Sequence, residues 1–151
     1  MQTVINKKLA FGVVGEFYDN TVKKVDTYVL NSDDNVIGTA FTRVSEGVAE
    51  KGGTGTFVGL LALPKQYVNY SSSIGSTNSI PRGTQASIAK TGRIIANVGG
   101  TASVGDSVYF DNATGALGVG TAGAGQTQVP NCKVYYFDAE ANGLCVLELL
   151  N

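Results

Sequence analysis

Histidine and tryptophan are missing from this 151-residue chain, cysteine occurs twice, proline three times and methionine once. Without an imidazole, the usual serine and cysteine triads have no base. Haem on a proximal histidine is excluded, and two cysteines fall short of the four Cys/His ligands of a common structural zinc site. Charged side chains make up 15% of the chain, below the ~25% usual for globular proteins. Their signs nearly cancel, 11 basic against 12 acidic, which argues against an electrostatic nucleic-acid binder. Phe57 to Leu63, the longest apolar run after the N-terminal region, is far shorter than the ~18 residues of a membrane span. Lys7 and Lys8 ahead of Leu9-Ala10-Phe11-Gly12-Val13-Val14-Gly15 imitate a secretory leader, but Glu16 ends the run with no small-x-small cleavage site. The expectation is a soluble chain made in a cytoplasm.

What is abundant is glycine, 20 residues, within a composition that is 43% hydrophobic. Disorder needs high charge and low hydrophobicity, so this chain folds. Its length suits one domain, or one domain with an arm. The periodicity is that of strands. Val25 to Leu30 alternates, Val36 to Val44 follows the turn-rich Asn31-Ser32-Asp33-Asp34-Asn35, and Thr56 to Leu63 reads as a buried strand. Ala86 to Ala89, Ile94 to Val98 and Val104 to Phe110 are further candidates. At the end, Lys133 to Asp138 and Leu144 to Leu150 flank Ala139-Glu140-Ala141-Asn142-Gly143, whose Asn-Gly suits a tight hairpin loop. No long stretch keeps a helical stripe, and a single turn around Pro64 to Val68 is the most helix expected. The fold class is all-β, a small β-barrel or β-sandwich with an extended N-terminal arm. The arm covers residues 1–24 and the barrel or sandwich 25–151; residues 71–83 form a polar surface loop.

The motifs reduce to turns when their chemistry is demanded of them. Gly118-Val119-Gly120-Thr121-Ala122-Gly123 spells a dinucleotide fingerprint, yet Ala124 to Pro130 cannot start the helix that holds pyrophosphate. Lys51-Gly52-Gly53-Thr54-Gly55-Thr56 lacks the ending of a phosphate loop. Asn31, Asp33 and Asn35 open like a calcium loop without its glycine or distal glutamate, so a hairpin turn is the expectation. Asp33-Asp34 and Asp138/Glu140 are acid pairs in turn compositions, read as solvated. Cys132 and Cys145 lie toward opposite ends of the terminal hairpin, Cys145 facing roughly Tyr136, too far apart for a disulfide. Neither a catalytic constellation nor a metal or cofactor site is expected. Charge is unevenly placed: Lys65, Arg82, Lys90 and Arg93 meet no acid within residues 61–100, while residues 101–151 hold Lys133 against five acids. Such asymmetry either steers the protein onto a partner or is solvated chance.

The order of several segments resembles the head cement, or decoration, proteins of tailed bacteriophages. They are Phe11-Gly12-Val13-Val14-Gly15-Glu16-Phe17-Tyr18-Asp19, Ile37-Gly38-Thr39-Ala40-Phe41-Thr42, and Phe57-Val58-Gly59-Leu60-Leu61-Ala62-Leu63-Pro64-Lys65-Gln66-Tyr67. Gly105-Asp106-Ser107-Val108-Tyr109 and Asn142-Gly143-Leu144-Cys145-Val146-Leu147 complete the series. Phe11 is a departure, standing where many relatives are expected to carry proline, which leaves the bend there less rigid. The resemblance implies a structural virion protein, not an enzyme, that binds the outer capsid surface and cements neighbouring major capsid protein subunits around packaged DNA. It implies a homo-oligomer, dimer or trimer, without cofactor, nucleic acid or membrane partner, made in the host cytoplasm. The competing expectation is a β-sandwich receptor- or carbohydrate-binding module of a virion, with Tyr67 and Tyr70 as an aromatic platform. The arm carries large apolar residues without a clear period, and such residues gain by leaving water. Lys7, Lys8, Leu9, Phe11, Val13, Val14, Phe17 and Tyr18 are therefore the candidate contacts with the capsid or a sister subunit. The alternative is that this segment is the first strand of the protein's own barrel.

Overall fold

The computed structural model describes residues 12–63, 79–137 and 143–151. Among the described residues eleven strands follow one another and no helix occurs. They are β1 (Lys24–Leu30), β2 (Asn35–Val36), β3 (Ala40–Ser45), β4 (Val48–Lys51), β5 (Phe57–Leu61) and β6 (Ser79–Ile80). After these come β7 (Gln85–Asn97), β8 (Ser107–Asp111), β9 (Leu117–Val119), β10 (Gln126–Phe137) and β11 (Leu144–Leu150).

Five strands close a barrel in the order β1-β4-β3-β5-β7, β7 returning to β1. All neighbours are antiparallel except β1 and β4, which run parallel with Val29 opposite Val48. β7 is 13 residues long and belongs both to the barrel and to the rest of the nine-stranded sheet. Its first half pairs with β1 and β5, and its second half pairs with β11 from Thr91 to Asn97. From β11 the sheet continues through β10 and β8 to β9, forming a wing beside the barrel. The barrel-or-sandwich expectation thus resolves as a barrel with an attached sheet.

The two-residue period of the strands sorts apolar side chains into two cores. Phe41, Leu61 and Ile88 point into the barrel with Leu30, Ala49, Val58 and Ala86. Their strand neighbours Ala40, Leu60 and Ala89 point outward, where they meet Ile94, Val108, Phe110, Leu117, Val134, Leu147 and Leu149 of the wing. Two of those three outward positions are alanine, which lets the wing's larger side chains come close to the barrel wall. Phe57 and Phe110 stack across this junction with ring centroids 6.0 Å apart. At Gly59 the barrel wall is tightest, because a Cβ there would stand 2.7 Å from Ile88 Cγ2 and overlap the Ala89 carbonyl oxygen.

Several local expectations change. Val36 to Val44 is not one strand: the chain turns at Gly38, whose N–H donates to the Leu61 carbonyl at 2.8 Å. Ala86–Ala89 and Ile94–Val98 belong largely to one strand, since backbone pairing continues through the polar Lys90-Thr91 step. The turn at residues 31–35 joins β1 to β2, which do not pair, so it is not a hairpin. Ser79 and Ile80 are strand rather than surface loop; they pair with β2, and Ile80 is buried. Both cysteines are free and buried, with Cys145 opposite Phe137 rather than Tyr136 because β10 bulges between Val134 and Tyr136. The turn expected at Pro64 to Val68 lies outside the described residues.

Candidate interaction surface

The second half of β7 has β11 on one side only, and residues 15–18 of the arm take the other side. Gly15 N–H donates to the Ile95 carbonyl at 2.8 Å, Ile95 N–H to Glu16 at 2.9 Å, and Tyr18 N–H to Arg93 at 2.8 Å. Gly15 also accepts from Leu63 N–H at 2.9 Å, so the arm joins the chain just past β5 to the edge of β7. Just before this, Glu16 N–H closes a tight turn onto the Val13 carbonyl at 3.1 Å. Gly15 is forced by this geometry. Its φ is +91°, and a Cβ would overlap Ile37 Cγ2 and stand 2.9 Å from the Leu63 nitrogen.

Alternation along this short strand gives its side chains opposite duties. Phe17 bridges to Ile94 and packs on the core between barrel and wing, with Lys23 Nζ 4.8 Å from its ring centre. Val14 is half-buried against Gly38. Val13 and Tyr18 face water, 48% and 44% exposed. Lys7, Lys8, Leu9 and Phe11 lie outside the described residues.

Tyr18 reaches a cluster on the outer face of the wing. Directly opposed residues in antiparallel pairs share a face, so Ile95, Val146 and Tyr136 form one row and Arg93 with Glu148 the next. Tyr135 is the extra residue of the β10 bulge, a device that re-aims side chains. The Tyr18 ring lies 6.4 Å from Tyr136 and 6.3 Å from Tyr135. Arg93 places its guanidinium 3.8 Å from the centre of the Tyr135 ring. The same group donates through Nη1 to Asp19 Oδ2 at 2.8 Å and through Nε to Glu148 Oε2 at 2.9 Å. Thr21 donates both its N–H and its hydroxyl to Asp19 Oδ1. These donors hold the Asp19 carboxyl below the usual aspartate range, Thr21 contributing most and Arg93 next. The two carboxylates push the Arg93 guanidinium further from deprotonation. The result is a surface of tyrosines around a twice-paired arginine, the composition enriched where proteins bind proteins.

The remaining sequence candidates have structural placements. Asn35 is buried and ties the 31–35 turn to β6, donating to the carbonyls of Ser32 and Ile80 at 2.6 and 2.9 Å. The glycine run begins inside β9 at Gly118 and continues into the connection to β10. Asp33 and Asp34 are exposed, and Asp138, Glu140, Tyr67 and Tyr70 lie outside the described residues. Among the described residues no group of three His, Cys, Asp or Glu side chains is placed to hold a metal. Part of the charge asymmetry closes within the chain, since Arg93 meets Glu148 and Lys90 stands 3.8 Å from Asp26. Sequence reasoning missed Arg93, Asp19, Glu148, Tyr135 and Tyr136 as a group. The one local signal was the adjacent pair Tyr135-Tyr136, which breaks the alternation of β10.

Comparison with solved structures finds a chain of "The capsid of Myoviridae Phage XM1", with a TM-score of 0.72 and 17% identity, covering 99% of this chain and 96% of that one. At that identity the likeness establishes the fold. No curated protein matches the sequence. The family model described as "Structural cement protein (E217 gp24/Pam3 gp6)" matches residues 1–150. With that match running over all but the final residue, the chain belongs to the phage structural cement protein family.

Proposed function

We propose that this protein binds the outer surface of the phage head and bridges neighbouring major capsid subunits, stabilising the DNA-filled shell. The observation that carries this reading is the family match over residues 1–150. The work is mechanical rather than enzymatic. A ligand that binds only the closed lattice stabilises it by RT ln(1 + [L]/Kd) per site, and repetition over many sites strengthens the shell without a strong single contact. The protein acts as a small homo-oligomer, dimer or trimer, on the virion exterior.

The arm supplies the contact, through the candidate set Lys7, Lys8, Leu9, Phe11, Val13, Val14, Phe17 and Tyr18. In support, Val13 and Tyr18 face water, Tyr18 against Tyr135 and Tyr136, while Val14 and Phe17 anchor the arm's position. The test is sedimentation of the purified protein with mature heads, with free capsid subunits and with host cells. Binding is expected to heads alone, and heads lacking the protein are expected to break at a lower temperature. Equal affinity for subunits and lattice contradicts bridging, and pelleting with cells instead of heads favours a receptor-binding module.

A further inference from the structure

We propose that Arg93 is a latch that positions the arm, setting Tyr18 against Tyr135 and Tyr136 as one continuous surface. Backbone pairing of the arm with β7 stops at Tyr18, and the chain then leaves the sheet through Asn20 and the exposed Val22 and Lys23. At that point Arg93 takes hold of three elements together. Its carbonyl accepts from Tyr18, its Nη1 grips Asp19 of the arm, its Nε grips Glu148 of β11, and its plane covers Tyr135 of β10. Only a planar guanidinium offers two separate donors in one plane together with a face for an aromatic ring. A lysine retains the charge and loses this geometry. The Asp19 end is itself set by Thr21, so the carboxylate is already oriented toward the latch.

Ion pairs whose side chains keep 23–30% of their surface in water add modestly to global stability. The latch therefore acts locally, on how long the arm stays paired. The inference rests on the proposed function only in assigning the arm's surface to the head.

Amide hydrogen exchange of the full chain separates the two claims. Arg93→Gln, Arg93→Lys and Asp19→Asn are compared with the parent at Gly15, Tyr18 and Ile95, whose N–H groups cross the seam, and at Phe41 and Leu61 inside the barrel. The expected result is exchange about tenfold faster at the three seam amides, with the barrel amides unchanged, as for local opening. Arg93→Lys is expected to behave like Arg93→Gln. Asp19→Asn removes the arm's half of the latch from outside the sheet, so the test survives if an Arg93 variant folds poorly. Unchanged seam exchange, full rescue by lysine, or equal acceleration in the barrel each overturns the latch. Fast seam exchange with undiminished head binding supports the latch and instead removes the arm from the head contact.

Discussion

Adding one methyl group at residue 15 tests whether the arm is built into the sheet as described. In Gly15→Ala the backbone must keep φ near +91° with a Cβ present, a conformation that costs an L-residue about 1–2 kcal/mol. The methyl also overlaps Ile37 Cγ2 and stands 2.9 Å from the Leu63 nitrogen. Ile37 is buried, and the Leu63 nitrogen is fixed by its bond to the Gly15 carbonyl. Overpacking of this kind adds about 1–3 kcal/mol. The alternative is for the arm to lift away, giving up its backbone bonds to Ile95, Arg93 and Leu63 at about 1 kcal/mol net each. The molecule takes the cheaper route, so the loss is roughly 2–4 kcal/mol. For a chain of this size that lowers the unfolding midpoint by roughly 2–4 °C per kcal/mol. Gly47→Ala is the control, with φ +72° and nothing within 4 Å of its Cβ; it bears the backbone cost alone. Calorimetry of both variants isolates the steric part. If Gly15→Ala is no more destabilising than Gly47→Ala, the arm does not bridge Leu63 and Ile95 as described.

Four further outcomes follow from the packing and electrostatics. Phe110→Ala, at the fully buried junction of barrel and wing, is expected to cost about 3–5 kcal/mol in denaturant unfolding. Phe17→Ala is expected to lose about 2 kcal/mol, less because the ring is half-buried, while Tyr18→Ala keeps the parental midpoint and weakens sedimentation with heads. Burial pushes both cysteine thiols up to about 12, from an ordinary value near 9. Neither thiol should react with a disulfide reagent at pH 8 until denaturant is added, and stability should fall as pH rises from about 9 to about 12, because only unfolded thiols ionise there. Asp19 and Asp111 are held below their ordinary 3.8, Asp19 chiefly by Thr21 and Arg93 and Asp111 by the N–H groups of Thr114 and Ala113. Their stabilisation is present above that value and is lost as pH falls through the lowered ones, so acid titration followed by circular dichroism should show weakening beginning below about pH 4.

Strand content was legible because period-two alternation is a local property. It shows in Val25 to Leu30 and in the terminal hairpin without knowledge of any partner. Barrel closure was not legible, since it depends on β1 meeting both β4 and β7 across long stretches of chain. Where one strand changes partners the pattern misleads. Around Lys90-Thr91-Gly92 the side chains turn polar or vanish, which reads as a break, yet this is where β7 passes from β1 to β11. The reverse error occurs at Gly38, where an apolar stretch conceals a turn that lets β2 pair with β6 and β3 enter the barrel.

The surface was harder still, and the reason is its sequence spacing. Arg93 finds Asp19 74 residues away and Glu148 55 residues away, so the charge pattern registered only as a surplus of one sign in each segment. The arm shows no clear period in the sequence because, among the described residues before β1, those that pair with β7 are 15–18, preceded by a turn, and four residues give too few alternations to read. Within those four, the alternation is strict. Phe17 goes to the core and Tyr18 to water, so one residue serves folding and its neighbour stays exposed. The sequence offers two readings, an arm for docking and the first strand of the protein's own barrel; the described segment instead pairs with the second half of β7, beside the barrel, and leaves Tyr18 exposed. A segment held by β7 on its edge can present its outward side chains in a fixed place, and a contact surface fixed before binding avoids the cost of ordering those side chains when it binds.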